Sequence, residues 1–300
     1  MTAVRVCRLF IQMPNVSVII PTFNRAHLIK ESVSSVLAQT FKPEEVIVVD
    51  DGSSDNTWDI LKNLGFSLSE SRKNTLRYIY KENGGVSSAR NIGIELSSSE
   101  YVALLDSDDQ WKPSKLEAQL SSLKKERFSC RVSHTNEIWI RNGIRVNQHK
   151  KHSKNGGDLF EKCLKMCCIS PSSALIHRTV FNDLGGFDES LKACEDYDFW
   201  LRYCAFEETH FLNEQLTIKN GGHSDQLSQK YWGMDRFRIY SLEKLLKNKN
   251  LSRSKYELAL TELILKLKIL MNGSMKRGKK DFTDELNKKI IHFESLLGNA

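Results

Sequence analysis

No run in this 300-residue sequence approaches the roughly 18 uninterrupted apolar residues of a membrane-spanning helix, which argues against a transmembrane class. Proline is scarce, at five residues, and there is no internal repeat or low-complexity tract. What remains is the composition of a soluble globular protein, 40% hydrophobic and 27% charged. Paired cysteines are missing too. Cys7, Cys130, Cys163, Cys167, Cys168, Cys194 and Cys204 make an odd number, form no CxxC pair and lack a matching His/Cys pair for zinc. A disulfide framework and a zinc site are therefore disfavoured, and reduced, mostly buried thiols in a cytosolic protein are expected. Met1 to Gln12 carries two arginines and a short apolar patch but no h-region or cleavage site, so it does not read as a signal peptide. Residues 1–14 read as an extension ahead of the first strand.

Several catalytic signatures are also lacking. There is no Walker A lysine motif, no HExxH, no GxSxG and no GxGxxG in the first turn. This disfavours a P-loop NTPase, a zinc protease, a serine hydrolase and a Rossmann dehydrogenase. One sign of charge is in excess only locally. Of the net +7, the stretch Ser241 to Ala300 holds +6, with 13 Lys/Arg against 7 Asp/Glu. The nearly neutral remainder is not that of a nucleic-acid binder. The basic tail is either a solvated helical face or an attraction for an anionic partner, such as a membrane surface or an acidic subunit.

The first half alternates strand and helix signals. Val16–Ile20, Val46–Val49, Leu76–Tyr80 and Tyr101–Leu105 read as strands, separated by helical stretches at His27–Gln39, Asn56–Leu64 and Val86–Leu96. Apolar strands separated by helices predict a mostly parallel central sheet covered on both faces. The second half is less regular. Helices are expected at Lys112–Lys125, Leu159–Cys168 and Glu195–Ala205, strands over Cys130–Val146 with a turn at Asn142-Gly143, and a strand at Ser173–His177. From Asp235 onward the chain reads as almost wholly helical, with Gly273 and Gly278 flanking a break. A 300-residue chain fits one large domain, here 15–229, with a helical extension over 230–300.

Three strand ends carry polar clusters: Pro21-Thr-Phe-Asn-Arg25, Asp50-Asp51-Gly52-Ser53 and Asp106-Ser107-Asp108-Asp109. In open α/β sheets, ligands bind at the carboxyl ends of the strands. Three carboxylates within four residues repel one another unless a cation neutralises them, and magnesium or manganese takes oxygen ligands, often one or two carboxylates plus substrate phosphates. The same cluster also suits an Asx-type turn. Asp51 could accept from a ribose hydroxyl or a base N–H, or serve a turn in which Asp55 caps the next helix. Glu195-Asp196 opens a helix, where a carboxylate is stabilised as the anion and suits a general base as well as a simple cap. His223, in a glycine-bounded segment, is either a ligand that closes over a substrate or a solvated loop residue.

Taken in order, these motifs resemble family 2 glycosyltransferases. The likeness runs through Val16-Ser-Val-Ile-Ile-Pro-Thr-Phe-Asn-Arg25, Ser35-Val-Leu-Ala-Gln-Thr-Phe41 and Val48-Val-Asp-Asp-Gly-Ser-Ser-Asp55. It continues through Asn83-Gly-Gly-Val-Ser-Ser-Ala-Arg-Asn-Ile-Gly93, Leu104-Leu-Asp-Ser-Asp-Asp109, Gly185-Gly-Phe-Asp-Glu189 and Glu195-Asp-Tyr-Asp-Phe-Trp-Leu-Arg202, covering roughly Val16 to His223. The resemblance implies a GT-A fold and an inverting, metal-dependent transfer of sugar from a nucleotide-diphosphate donor. It implies that Phe23 stacks on the nucleobase with Pro21, Thr22, Asn24 and Arg25 around it, and that Asp51 reads the base edge. Arg90 falls in the donor-supporting segment. Asp106 faces ribose and metal, Ser107 lies in the same donor-binding motif, and Asp108 is the direct ligand of Mg or Mn. Asp196 matches the catalytic base, and His223 a late-closing metal ligand. By family habit the acceptor is a carbohydrate or a lipid-linked oligosaccharide in cell-surface synthesis, with the enzyme cytoplasmic or peripheral to the cytoplasmic membrane. Two other readings carry less of the pattern: a nucleotide-sugar-binding module without catalysis, and a sugar nucleotidyltransferase. The latter usually has a Gly-rich loop with a basic residue where this chain has Pro-Thr-Phe-Asn-Arg.

Overall fold

A computed structural model describes residues 13–71, 73, 75–222 and 231–298. Its first half follows the alternation in the sequence: β1 (Val16–Thr22), α1 (Ala26–Leu37), β2 (Glu45–Asp50), α2 (Thr57–Asn63), β3 (Ser67–Leu68), β4 (Leu76–Tyr80), α3 (Val86–Leu96) and β5 (Tyr101–Leu104). Then come β6 (Gln110–Trp111), α4 (Lys115–Lys125), the hairpin β7 (Val132–Arg141) and β8 (Ile144–Val146), α5 (Phe160–Lys165), β9 (Ala174–His177) and α6 (Thr179–Leu184). The chain continues through α7 (Glu195–Cys204) and β10 (His210–Gly221), then α8 (Asp235–Leu245), α9 (Arg253–Met275) and α10 (Lys280–Gly298).

The strands form a sheet in the order β3-β4-β2-β1-β5-β9-β7-β10-β6, with β8 on β7. The β4-β2-β1-β5 segment is parallel; β9 runs antiparallel to both β5 and β7. Strand parity sorts the core. Val18, Ile20, Val46, Val48 and Ala103 pack with α1 and α4 on one face, while Ile19, Ile47, Val49, Val102 and Leu104 pack with α3 and α7 on the other. Burial of both faces is why these strands read as unbroken apolar runs. On the second face α3 lies close: a Cβ on Gly93 would meet Ile19 Cγ2 at 2.3 Å, so only glycine fits there.

The helices after Asp235 belong to that second core. Leu242, Leu245, Ala259, Leu263, Leu267, Leu286 and Ile290 are buried in the same cluster as Trp200 of α7. Two local expectations are corrected. Gly273 does not end a helix but lies inside α9, where an interior glycine costs only about 1 kcal/mol. The break falls at Gly278, whose φ is +64°. Strand β10 was not anticipated, since Asn213, Glu214 and Gln215 interrupt its alternation where the register to β7 shifts. The six described cysteines are free, and four of them are buried.

Candidate active site

The order β2-β1-β5 brings three polar loops side by side at the strands' carboxyl ends. In the first, Phe23 is 45% exposed and Asn24 takes a left-handed φ of 51°, a conformation asparagine tolerates. Asn24 N–H donates to Ser53 Oγ at 2.8 Å, and its Oδ1 accepts from Ser54 N–H at 2.8 Å, so this loop is clamped to the second. Asp55, the expected helix cap, accepts from Thr57 N–H at 3.1 Å and also from Ala26 N–H at 3.0 Å, serving α2 and α1 together.

Asp51 is buried. It accepts from Lys81 Nζ at 2.6 Å, Gly84 N–H at 2.8 Å and Gly85 N–H at 2.7 Å. The carboxylate therefore builds the Asn83-Gly84-Gly85 turn that starts α3, a task not legible in its motif. A carboxylate has about four lone-pair sites, so one stays available.

Arg90 on α3 is almost wholly buried and grips two distant acids. Nη2 donates to Asp106 Oδ1 and Nη1 to Glu195 Oε1, both at 2.7 Å. Burial works against the Asp106 anion, but Arg90, Lys219 and Arg25 hold its carboxyl below the usual range. Ser107 is anchored to α1, its carbonyl accepting from Ser32 Oγ at 2.8 Å. Burial and Asp106 push Asp108 up, opposed by Arg25, 3.5 Å away, and by Lys219. Burial carries Asp109 up to about 8, against Lys219 and with the repulsion of Asp108 and Asp106.

The fourth contributor arrives from far along the chain. Cys194, with a left-handed φ of 62°, turns the chain into α7 and presents Glu195 and Asp196. Asp196 is half-buried; Oδ1 accepts from Tyr197 N–H at 2.7 Å and Oδ2 from the Cys167 thiol at 3.1 Å. Each oxygen has one donor, which orients the group and leaves a lone pair on each.

These parts line one cavity of about 1390 Å³. Pro21, Thr22, Phe23, Asn24, Arg25, Asp51, Arg90, Asp106, Ser107, Asp108 and Asp196 all border it. His223 lies outside the described residues. The cavity also contains residues that the sequence did not single out: Lys219 and Asn220 at the end of β10, Cys167, and Tyr231, Met234 and Arg238. Lys219 Nζ is 3.9 Å from Asp109 Oδ2, and Asn220 bonds both the Asp108 carbonyl, at 2.8 Å, and Asp109 Oδ1, at 3.0 Å. These two residues were missed because β10 itself was.

Among the described residues no three His, Cys, Asp or Glu side chains are placed to hold a metal alone. The acidic loop still suits a hard divalent ion. Asp108 and Asp106 offer carboxylate oxygens on the wall of the same cavity, the donor type such an ion takes. An ion held by one or two carboxylates and completed by substrate phosphates needs no protein cage.

The Glycosyl transferase family 2 model matches residues 17–185, more than half of the chain. The chain belongs to glycosyl transferase family 2. It is 35% identical over 224 residues to an uncharacterised glycosyltransferase of Rickettsia typhi, covering 71% of this chain and 65% of that one. It is 37% identical over 186 residues to WfgD of Escherichia coli, named a UDP-Glc:alpha-D-GlcNAc-diphosphoundecaprenol beta-1,3-glucosyltransferase, covering 62% of this chain and 68% of WfgD. The chain thus spans just under two thirds of the Rickettsia typhi relative, and only 36% of a similar one from Rickettsia felis. Among solved structures, S. aureus TarS 1-349 in complex with UDP-GlcNAc aligns with a TM-score of 0.72 at 20% identity, covering 93% of this chain and 81% of that one. That likeness concerns the fold, and the GT-A architecture and C-terminal helices expected from the sequence are both present.

Proposed function

We propose that this protein is an inverting glycosyltransferase that moves a sugar from a nucleotide-diphosphate donor to a hydroxyl of a carbohydrate or lipid-linked acceptor. The observation that carries the reading is convergence: Phe23, Asp51, Asp106, Asp108 and Asp196, spread over 174 residues of chain, border one cavity. The nucleobase stacks on exposed Phe23, and the remaining lone pair of Asp51 takes a base N–H. Asp106, held by Arg90, faces the ribose. Asp108, with Asp106 beside it, would hold magnesium or manganese, which when bound offsets the charge of the leaving diphosphate. Lys219 and Arg25 add fixed positive charge to the same cavity.

Chemistry falls to Asp196. The acceptor oxygen attacks the anomeric carbon, the bond from that carbon to the diphosphate oxygen breaks, and its electron pair leaves with the nucleotide. Asp196 takes the hydroxyl proton as the new bond forms. One displacement inverts the anomeric centre. The Cys167 thiol and the Tyr197 N–H hold the carboxylate in place for that transfer. A positioned base is typically worth about 10²–10⁴-fold, so Asp196→Asn should lose that much turnover while still binding UDP. Asp108→Ala should lose turnover and its dependence on manganese together. Full activity in a folded Asp196→Asn protein would strip that residue of its role as base, and full activity in folded Asp108→Ala would do the same for the metal ligand.

The name of WfgD supports a diphospholipid-linked acceptor, and the basic extension supports contact with an anionic membrane. No helix of the described residues is long and apolar enough to cross a membrane. The reading is of a cytoplasmic-side enzyme that meets its acceptor at the lipid surface, in polysaccharide or glycoconjugate synthesis.

A further inference from the structure

A second hollow, of about 360 Å³, lies over the β7–β8 hairpin and the segment that follows it. This is within the usual size of a small-molecule site, about 300–1,000 Å³. Its walls are unusually rich in amides: Asn136, Asn147, Gln148, Asn213 and Gln215. An amide offers donors and an acceptor side by side, which suits neighbouring sugar hydroxyls. Gln148 Nε2 donates to the Glu137 carbonyl at 3.2 Å, Asn213 Oδ1 accepts from Asn136 at 3.0 Å, and Gln215 Oε1 accepts from Arg145 at 3.1 Å. Each of these three uses one end of its amide in these bonds and keeps the other.

Trp139 supplies the apolar surface. It is half-buried, and its indole N–H is pinned to Glu137 Oε2 at 2.8 Å. Glu137 is only 2% exposed and is held by Lys154, 3.2 Å away, and by Ser170. Although burial opposes it, Lys154 and Lys219 bring the Glu137 carboxyl down to about 2, so the anchor stays charged. The indole also packs against the His152 ring, 5.2 Å between centroids and tilted by 50°, so it is held in place and presents only its remaining surface to the hollow. Arg145 and Lys150, both exposed, make the rim cationic.

The hollow adjoins the donor cavity. Trp139 and Lys219 are register partners on β7 and β10; Trp139 lines the hollow and Lys219 the cavity. We propose that this hollow is an acceptor subsite for a saccharide unit carrying an anionic substituent, such as a phosphate or a carboxylate. The unit bound there holds the acceptor while another of its hydroxyls reaches Asp196. This rests on the glycosyl-transfer reading above.

The test uses the full chain with UDP and manganese saturating the donor cavity. N-acetylglucosamine 1-phosphate, N-acetylglucosamine and inorganic phosphate are titrated separately, followed by saturation-transfer NMR and calorimetry. The sugar phosphate should bind at least about tenfold more tightly than either fragment. Trp139→Ala and, independently, Arg145→Ala with Gln215→Ala on the exposed wall should each remove that gain and leave UDP affinity unchanged. Phosphate binding as tightly as the sugar phosphate would overturn the saccharide assignment. Wild-type affinity in both folded variants would overturn the location. If UDP and manganese themselves fail to bind, the transferase reading falls and this one with it, which is a distinct result.

Discussion

Arg90 is the side chain on which most of the site's geometry depends. One guanidinium ties α3 to the acidic loop and to the start of α7, and Glu195 is 105 positions away in sequence. Truncating it would leave buried Glu195 without its cation and Asp106 with only Lys219 and Arg25. Breaking such a buried pair costs about 3–5 kcal/mol, so Arg90→Ala should lose that much stability in urea titration. Arg90→Lys carries the charge but cannot reach two acids with one planar fork, so it should recover part of the stability and little of the turnover. Wild-type stability and kinetics in Arg90→Lys would refute the two-handed role. None of this was legible in the motif, which names Arg90 but not its partners. Phe23 and Asp108 were singled out through the resemblance of their motifs, since by itself the acidic cluster suits a turn equally well.

At the level of elements, legibility followed burial. Strands β1, β2 and β5 were recognisable because both of their faces meet helices, so nearly every residue is apolar. Strand β10 was hidden by its polar, irregular middle, and Lys219 and Asn220 with it. The ion pairs that flank the apolar packing of the helical extension on α7 were hidden as well, since charged partners far apart in sequence leave no periodic signal. Lys244 on α8 reaches Asp188 at 2.6 Å and Asp198 at 3.0 Å. Burial opposes the Asp188 anion, yet Lys244 and Ser190 bring its carboxyl down to about 2. A depressed carboxyl stabilises the fold above its unfolded value, about 4, and that contribution disappears as pH falls through the folded value. Asp188→Asn should therefore be less stable than the wild type at neutral pH by about 1–2 kcal/mol. Denaturation followed from pH 7 downward should show the gap closing as pH falls from about 4 towards 2. A gap that persists unchanged in acid would assign the loss to packing instead.

For the whole molecule, the question is how the cavity would meet the lipid-borne acceptor proposed above. The turn between α9 and α10 exposes Met275, Lys276, Arg277, Lys279 and Lys280. Lys279 lies 4.2 Å over the ring of Trp232, which is 51% exposed, and Tyr231 beside it lines the cavity. The basic tip therefore stands near the cavity's edge. Basic residues near an anionic bilayer contribute about 1 kcal/mol each, so replacing Lys276, Arg277, Lys279 and Lys280 by Glu should cut partitioning onto phosphatidylglycerol vesicles by roughly 10²–10³-fold. Co-sedimentation at low and high salt reads this directly, and equal partitioning onto neutral phosphatidylcholine vesicles would count against an electrostatic contact.

The position of α7 late in the chain separates two tasks by sequence order. The segment matched by the family ends at residue 185, ten positions before Glu195. On the proposed reading most of the nucleotide's contacts are encoded upstream, while the base Asp196, Lys219 of β10 and the wall built by Tyr231, Met234 and Arg238 come afterwards. If the chain transfers sugar as proposed, a descendant could vary the downstream segments that do not touch Arg90 or the acidic loop, and with them the alcohol it modifies, while keeping its hold on the activated sugar.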